Sequence, residues 1–288
     1  MGCLLVPIDV LPGEISGEIA KKQGKYAIVM RTMRTALITG ASAGLGQEFA
    51  RQLAAAGTNL VLVARRREPM EELAAALRNA HGIDVVVLTA DMTDPSAPHQ
   101  LYLKTVARDL TIDFLVNNAG SEGPDLIRTR DWERQQAYLT LMMISVAAMC
   151  HEFMPGMLER GYGRVINVAS VAGQITVGGD YSYGPTKAYL IALSKALASS
   201  FRDQDVKIMA LCPGFTHTDF HASDRLTAMK RQTPKFIWYD ADVVVREGLA
   251  ALERGRDEYT SGRLYRFLIP VLRRRWTQGL LRLLGVNL

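Results

Sequence analysis

The chain has 288 residues, of which 48% are hydrophobic and 22% are charged. These proportions are typical of a globular protein with a sizeable core, and they exclude a disordered or low-complexity chain. The net charge of +5 is a mild surplus. It favours an anionic ligand such as a nucleotide, but it is too small to indicate a nucleic-acid partner, and we expect none.

The cysteines are few and widely spaced, at Cys3, Cys150 and Cys212. None belongs to a CxxC pair, so we expect neither a disulfide framework nor a zinc site, as in proteins of a reducing compartment. The longest apolar run, at 141–150, is too short to span a bilayer. The N-terminus lacks the basic and apolar regions of a signal peptide, so the sequence predicts a cytoplasmic protein.

From Thr35 onward, short apolar runs alternate with helical patterns along the chain. The predicted strands are 36–38, 59–64, 85–88, 113–116, 164–168 and 206–211. The predicted helices are 45–56, 68–80, 95–110, 129–160 and 181–202. Asp94 is a suitable N-cap for the third of these helices. Continuous apolar strands that alternate with helices predict an α/β fold, a single Rossmann-type doubly wound parallel sheet with helices on both faces.

The two ends of the chain do not follow this alternation. Residues 1–32 are rich in glycine and lysine and predict a loosely ordered N-terminal extension; a small ordered arm packed on the domain is the alternative. Residues 33–262 form the predicted α/β domain. Residues 263–288 form a basic amphipathic tail with six arginines and no acidic residue. Such a tail packs on the domain or a second subunit, or lies on an anionic membrane surface as a peripheral contact.

A glycine-rich stretch at 39–46 (TGASAGLG) lies between the first predicted strand and the first predicted helix. Glycines allow a tight turn and a close approach of the backbone to a pyrophosphate, and the helix N-terminus offers unpaired N–H groups to phosphates. The position of the stretch makes a plain structural turn the less favoured interpretation. The candidate cofactor-binding residues here are Gly40, Ser42, Ala43, Gly44, Leu45 and Gly46.

The second strand ends in Val63-Ala64-Arg65-Arg66-Arg67, with no acidic residue at its tip. An acid at this place binds the ribose 2′-hydroxyl of NAD, whereas arginine suits the 2′-phosphate of NADP. Arg65 is therefore a candidate ligand, which favours NADP(H) over NAD(H). The alternative is a basic turn that only faces solvent.

The stretch at 181–187 (YSYGPTK) contains two tyrosines and one lysine. Pro185 belongs in the first turn of a helix, because it has no N–H. Tyr183 and Lys187 are then four residues apart on one helix face, whereas Tyr181 lies elsewhere and is assigned to a pocket wall. An ammonium group near a phenol lowers its pKa, so Tyr183 is the candidate acid/base.

Further motifs follow three other predicted strands, at the edge where open α/β sheets bind ligands. Together with the stretches above, they resemble the short-chain dehydrogenase/reductase family over about residues 33–262. The match is similar to the branch of soluble reductases with varied substrates, with PGML at 155–158 and GRLYR at 262–266. The motifs that carry the resemblance are TGxxxGxG (39–46), NNAG (117–120), Ser170, YxxxK (183–187) and PGxxxT (213–218).

The resemblance implies a dinucleotide-binding and catalytic domain with Ser170, Tyr183 and Lys187 as its catalytic residues. Tyr183 is implied as the acid/base, Lys187 lowers its pKa and binds the nicotinamide ribose, and Ser170 donates a hydrogen bond to the substrate oxygen. Asn117 is expected to brace the sheet. The other implied cofactor contacts are Asp91 and Met92 at the adenine, Asn118 in the cleft, and Pro213, Gly214, Thr216 and Thr218 at the nicotinamide. Asp91 and Asn117 have the alternative of capping nearby backbone groups.

One position departs from the family pattern. Many members carry an asparagine in the helix before the fifth strand, where it holds a water that supplies protons to the lysine. In this chain Met142 stands at that position. Methionine donates no hydrogen bond, so the relay runs by another route, for example Ser145, or is slow.

The predicted substrate is a hydrophobic ketone or aldehyde, or the matching alcohol. The segment 219–239 is expected to be a lid, and its aromatic residues line a pocket or pack the lid on the domain. His151 and His217 lack a second ligand at metal-binding spacing, so we expect no metal. The sequence thus predicts an NADP(H)-dependent oxidoreductase that is a homo-oligomer; the alternative is a low-turnover nucleotide-binding sensor or scaffold. The lid aromatics are Phe220, Phe236, Trp238 and Tyr239.

Overall fold

The computed structural model describes residues 3–7, 18–23, 26–31, 33–176, 178–217 and 235–272. Before the α/β domain, three strands form an antiparallel sheet in the order β1-β3-β2. Their bounds are β1 Cys3–Pro7, β2 Glu18–Gln23 and β3 Tyr26–Arg31. The division of the chain into an extension, a domain and a tail stays a prediction.

A seven-stranded parallel sheet forms the centre of the domain, in the order β12-β9-β8-β7-β4-β5-β6. Its strands are almost wholly apolar, because helices cover both faces. The bounds are β4 Thr35–Thr39, β5 Asn59–Ala64, β6 Val85–Thr89, β7 Phe114–Asn117, β8 Gly163–Val168, β9 Val206–Cys212 and β12 Glu258–Thr260. A short parallel pair, β10 Thr216–His217 with β11 Tyr239–Asp240, lies outside this sheet. The predicted fold class is confirmed.

Helices form one layer on each face of the sheet. Their bounds are α1 Gly44–Ala55, α2 Arg67–His81, α3 Ala97–Val106, α4 Trp132–Leu139, α5 Ser145–Glu159, α6 Tyr183–Ser200, α7 Ala241–Glu253 and α8 Arg263–Leu272. Neighbouring strand residues face opposite layers: Ile38 packs with α1, α2 and α7, whereas Leu37 packs with α3 and α5. The sheet therefore has two cores, one on each side.

The third helix begins two residues later than the sequence predicted. Asp94 does not cap it, because its Oδ1 accepts hydrogen bonds from Ser96 N and Ser96 Oγ, both at 2.8 Å. These bonds form a turn before the helix, which starts at Ala97. The Asx-type turn competes with the cap for the same carboxylate.

The long helix predicted at 129–160 begins at Trp132 and is interrupted at Thr140–Ile144 by a π-helical turn between α4 and α5. The 28-residue helix from Trp132 to Glu159 is long and apolar enough to cross a membrane, although the run at 141–150 alone is not. Its buried side chains, such as Met149 and Phe153, pack on the sheet within one core. A helix that packs on the core of a globular domain can meet the same criterion of length and apolarity.

Three elements near the C-terminus were not located from the sequence: α7, β12 and α8. Arg266 of α8 donates to Glu247 Oε2 at 2.9 Å and to the hydroxyl of Tyr259 at 2.6 Å. Glu247 also accepts from Gly262 N at 3.0 Å, at the residue before α8. These bonds attach α8 to α7 and to the edge strand.

Candidate active site

The glycine-rich turn leaves β4 at the carboxyl edge of the sheet and leads into α1. Gly40 has φ +68° and Gly44 has φ +54°, a region that side chains disfavour. A Cβ on Gly46 would lie 2.2 Å from the carbonyl oxygen of Gly40, so only glycine fits there. The stretch at 39–46 thus forms the predicted turn, with Ala43 as the N-cap residue of α1.

Thr39 and Asn118 hold this turn against the end of β7. Thr39 Oγ1 accepts from Asn118 N at 3.0 Å and from Ala119 N at 3.1 Å. Asn118 Nδ2 donates to Thr39 O at 3.0 Å and to Gly40 O at 3.3 Å. Sequence analysis placed Asn118 in the cleft but missed Thr39 as its partner. The two motifs are 79 residues apart, and only the parallel pairing of β4 with β7 brings them together.

The three arginines after β5 have three different surroundings. Arg67 forms an ion pair with Glu71 at 2.8 Å within α2. Arg66 Nη2 donates to Ser42 Oγ at 3.3 Å and so reaches the glycine turn. Arg65 is exposed at the end of the strand. Arg66 is a second basic residue at this edge that sequence analysis did not single out.

Asp91 and Met92 follow β6, next to the end of β5. Asp91 Oδ1 accepts from Thr93 N at 3.0 Å and from Thr93 Oγ1 at 2.9 Å, which is the backbone-capping alternative considered for it. Met92 is buried in the core beneath α3. Asp91 is therefore exposed at this edge, whereas Met92 belongs to the core.

The structure brings Ser170, Tyr183 and Lys187 together at the carboxyl ends of β8 and β9. Ser170 and Tyr183 share a side-chain hydrogen bond. Lys187 Nζ lies 5.6 Å from the centroid of the Tyr183 ring and donates to the Val168 carbonyl at 2.7 Å. Tyr183 is the first residue of α6, as the position of Pro185 predicted, whereas Tyr181 lies before the helix and is exposed.

Burial is the main cause of the pKa shifts of Tyr183 and Lys187. It raises the pKa of Tyr183 to about 12, against the lowering effect of the hydrogen bond from Ser170. Burial lowers the pKa of Lys187 to about 8, because the charged ammonium is deprived of water. The expected lowering of the tyrosine pKa by the lysine is therefore not found; the pKa is raised by burial, and the hydrogen bond with Ser170 opposes that rise.

Asp180 fixes the start of the helix that carries Tyr183. Its Oδ1 accepts from Tyr183 N at 2.9 Å and its Oδ2 accepts from Gly184 N at 2.7 Å. These are N–H groups that the first turn of a helix leaves without partners. The negative charge of Asp180 also raises the pKa of Tyr183. Sequence analysis missed this residue, because an N-cap lies directly before the helix, whereas Asp180 reaches the first turn from three residues before it.

A buried chain of polar side chains crosses the sheet beneath the site. Asn117 Nδ2 donates to Asn167 Oδ1 at 2.8 Å, and Asn167 Nδ2 donates to Ser194 Oγ at 2.9 Å. Asn117 lies on β7, Asn167 on β8 and Ser194 on α6. Asn117 thus joins two strands, and the chain ties α6 to them.

The loop of Pro213, Gly214 and Thr216 follows β9. Pro213 O accepts from Val171 N at 3.0 Å, and Thr216 Oγ1 donates to Gly214 O at 3.0 Å. A Cβ on Gly214 would lie 2.0 Å from the ring of Tyr265, so the glycine admits this aromatic ring of α8. The Tyr265 hydroxyl accepts from Phe215 N at 3.1 Å and donates to Ile237 O at 2.9 Å.

Much of the predicted lid, with Phe220, lies outside the described residues, as does Thr218. Trp238 is buried and stacks on Phe215 and on His217, with ring centroids 5.0 Å and 5.3 Å apart. This stack fastens the described end of the segment to the loop after β9. Within the residues that the structure describes, no three His, Cys, Asp or Glu side chains group as metal ligands.

Met142 lies in the π-helical turn and is buried against the loop after β7. Its sulfur accepts from Ser121 N at 3.5 Å and faces Gly120, where a Cβ would lie 3.3 Å away. Ser145, the suggested alternative for the proton route, is buried and donates to Leu141 O at 2.8 Å. A π-helical turn is often found at functional sites.

Comparison with known proteins places these features in a family. The pattern of the short chain dehydrogenase family matches residues 34–228. The chain is 35% identical over 185 residues to a ketoacyl reductase of granaticin polyketide synthase from Streptomyces violaceoruber, which covers 64% of this chain and 68% of the relative.

Two solved structures are similar over most of the chain. A short-chain dehydrogenase from Sphingobium yanoikuyae in complex with NADPH has a TM-score of 0.71 and 28% identity, and the match covers 89% of this chain and 96% of the other. A bulky-bulky ketone specific alcohol dehydrogenase from Comamonas testosteroni has a TM-score of 0.69 and 25% identity, over 87% and 94% of the two chains.

Proposed function

The chain belongs to the short-chain dehydrogenase/reductase family of oxidoreductases, and on this premise we propose that it reduces a hydrophobic ketone or aldehyde with NADPH. The observation that carries the proposal is the grouping of Ser170, Tyr183 and Lys187 at the same edge of the sheet as the glycine turn. The three side chains meet at the edge of the sheet where cofactor and substrate are bound in such folds.

The cofactor assignment depends on the edge formed by the glycine turn and the end of β5. Gly40, Gly44 and Gly46 leave room for a pyrophosphate at the N-terminus of α1. Arg65 and Arg66 are exposed there, and no acid follows the strand to bind a ribose 2′-hydroxyl. A guanidinium group binds a 2′-phosphate with paired hydrogen bonds, so NADP(H) is preferred, and NAD(H) is the weaker alternative. The NADPH complex of the Sphingobium relative supports this choice.

The catalytic step requires a hydride and a proton. A nicotinamide held in this cleft would supply the hydride. Tyr183 would give the proton of its hydroxyl to the carbonyl oxygen. Ser170, already hydrogen-bonded to Tyr183, donates to the same substrate oxygen and stabilises the charge that develops on it. Lys187 holds the nicotinamide ribose and stabilises the tyrosinate that remains.

The raised pKa of Tyr183 favours reduction as the direction of catalysis. With a pKa of about 12, the phenol keeps its proton at neutral pH and is ready to act as an acid. Oxidation of an alcohol needs tyrosinate as the base, which burial disfavours in this site. Reduction therefore does not require that Tyr183 lose its proton beforehand.

The substrate is proposed to be bulky and apolar, and the protein a homo-oligomer. The aromatic stack of Trp238 with Phe215 and His217 lies beside the site and offers an apolar wall. The Comamonas relative is specific for bulky ketones, which supports this substrate class. The exposed Trp132 and Ile144 on the α4–α5 helix suit a contact with a second subunit.

A second candidate is a nucleotide-binding sensor or scaffold with little turnover. It is favoured by Met142, whose sulfur only accepts a backbone hydrogen bond where many relatives have an asparagine. Such a protein binds NADPH through the same turn but replenishes the proton of Tyr183 slowly.

The test measures NADPH and NADH binding and then NADPH oxidation with a panel of bulky ketones and aldehydes. Reductase activity that is lost in Tyr183→Phe, with NADPH binding kept, supports the proposal. NADPH binding without turnover, followed by turnover in Met142→Asn, supports the second candidate. Failure to bind either cofactor contradicts both.

A further inference from the structure

The described C-terminal helix α8 has a fixed inner face. Tyr265 and Ile269 are buried against the domain. Arg266 is bound to Glu247 and Tyr259 by the hydrogen bonds described above. These contacts determine the rotation of the helix about its axis, and they therefore determine which side chains point away from the domain.

The outer face of α8 is apolar. Phe267, Leu268 and Val271 are exposed by 74%, 37% and 39%. With Leu264, they are spaced by three and four residues, which places them in one stripe along the helix. Arg263, also exposed, lies at the start of this stripe.

The sequence from the start of α8 to residue 288 is strongly basic. From Arg263 to Leu288 there are six arginines and no acidic residue, although the whole chain carries a net charge of only +5. The positive surplus of the protein is therefore concentrated in its last 26 residues. Trp276 and four leucines at 280–284 accompany these arginines in the sequence.

We propose that the outer face of α8 docks the protein on an anionic lipid surface, since this part of the sequence carries a large positive surplus. Apolar side chains insert between headgroups while arginines bind lipid phosphates, a combination typical of helices that lie in the membrane interface. A second copy of the chain fits less well, because both copies would carry the same positive surplus in this part of the sequence. Docking is independent of the proposed reaction.

Docking through α8 also orients the site. Tyr265 binds both Phe215 N and Ile237 O, so the docking helix is joined directly to the loop after β9 and to the residues before β11. One residue of α8 thus holds both ends of the segment that carries the aromatic stack of Phe215 and Trp238. A carbonyl substrate dissolved in the bilayer suits this arrangement.

The experiment is flotation of the purified full-length protein with vesicles, either of phosphatidylcholine alone or with one third phosphatidylserine. We expect flotation only with the anionic vesicles and a decrease as salt is raised. In the double variant Phe267→Ser/Val271→Ser, the affinity of the protein for anionic vesicles should fall by about tenfold or more. The matched control is Leu103→Ser with Val106→Ser, which removes residues of similar exposure, 51% and 53%, from α3 and leaves flotation unchanged.

Thermal unfolding and NADPH binding of each variant show whether the fold is intact, and neither depends on a lipid. Absence of flotation with anionic vesicles overturns the proposal, as does equal flotation of the α8 variant and the wild type. A change in sedimentation mass of the α8 variant without lipid shows that a second copy covers this face, which also overturns it. Lack of turnover leaves the docking result interpretable, because flotation requires no reaction.

Discussion

The glycine turn and the Ser170–Tyr183–Lys187 group lie at the same edge of one sheet, but different physical effects determine their properties. The turn depends on shape: close backbone contacts and the hydrogen bonds between Thr39 and Asn118 leave no room for side chains. The catalytic group depends on burial, which moves the pKa of Tyr183 up and that of Lys187 down. Changes at the first region should therefore alter cofactor binding, and changes at the second should alter turnover.

The largest effect is expected for Tyr183→Phe. The change removes the proton donor and keeps the ring, so the rate of carbonyl reduction should fall by about 10²- to 10⁴-fold. NADPH affinity, measured by fluorescence titration, should stay as in the wild type because the turn is untouched. A parallel loss of NADPH binding would show that the two regions are not separable.

Gly46→Ala should produce the opposite pattern. The new Cβ lies 2.2 Å from Gly40 O, so the turn must shift, at a cost of about 1–3 kcal/mol in unfolding free energy. NADPH binding should weaken by about tenfold for each 1.4 kcal/mol lost at the site. Gly57→Ala is the control: its φ is +79° with nothing near, so it should lower stability without affecting NADPH affinity. Equal NADPH affinity in both variants would contradict the role of the turn.

Arg65→Ala should weaken NADPH binding by about 1.5–3 kcal/mol, at least tenfold, and leave NADH binding unchanged. The reason is the loss of a charged donor to the 2′-phosphate. Arg67→Ala is the matched control, because Arg67 is engaged with Glu71 on the first turn of α2. Competition titrations with the two cofactors measure the effect, and an equal loss for NADH would refute a 2′-phosphate contact.

Turnover should depend on pH through Lys187, whose pKa is lowered to about 8. Below that pH the ammonium is charged and stabilises the tyrosinate left by proton transfer. Above it the charge is lost, so the reduction rate should fall by up to about tenfold per pH unit. Lys187→Met should be slower and flat over the same range. A wild-type rate that stays constant to pH 10 would exclude the lysine from this role.

The smallest effect is expected for Asp180→Ala, which removes the carboxylate that accepts from Tyr183 N and Gly184 N in the first turn of α6 and should cost about 1 kcal/mol of stability. Asp131→Ala is the control, because Asp131 caps α4 through Arg134 N at 3.0 Å, away from Tyr183. Both should lower the unfolding midpoint, measured by denaturant titration. Only Asp180→Ala should also slow reduction and lower the pKa of Tyr183. Equal activity of the two variants would show that Asp180 does not position Tyr183 for catalysis.

Local signals predicted a large part of the fold and of the site. The glycine turn is specified within eight consecutive residues, and Pro185 placed Tyr183 near the start of α6, although the helix itself was predicted from residue 181. The alternation of apolar runs with helices gave the parallel sheet, because each run had to be buried on both faces.

Features that depend on distant contacts were not predicted. Thr39 was missed because its partner Asn118 is distant in the chain. The pKa of Tyr183 was expected to fall, since the lysine is visible in the sequence and the burial of the phenol is not. The π-helical turn at Thr140–Ile144 has no sequence signal that we recognised, and it interrupts a helix predicted as continuous.

The contact of Gly214 with Tyr265 has a practical consequence for recombining this chain with its relatives. The aromatic ring occupies the space of any side chain at position 214, where a Cβ would lie 2.0 Å from it. A chimera that takes the loop after β9 from one parent and α8 from another therefore risks either a steric clash or a void. The two segments, although about 50 residues apart, are best exchanged as one block.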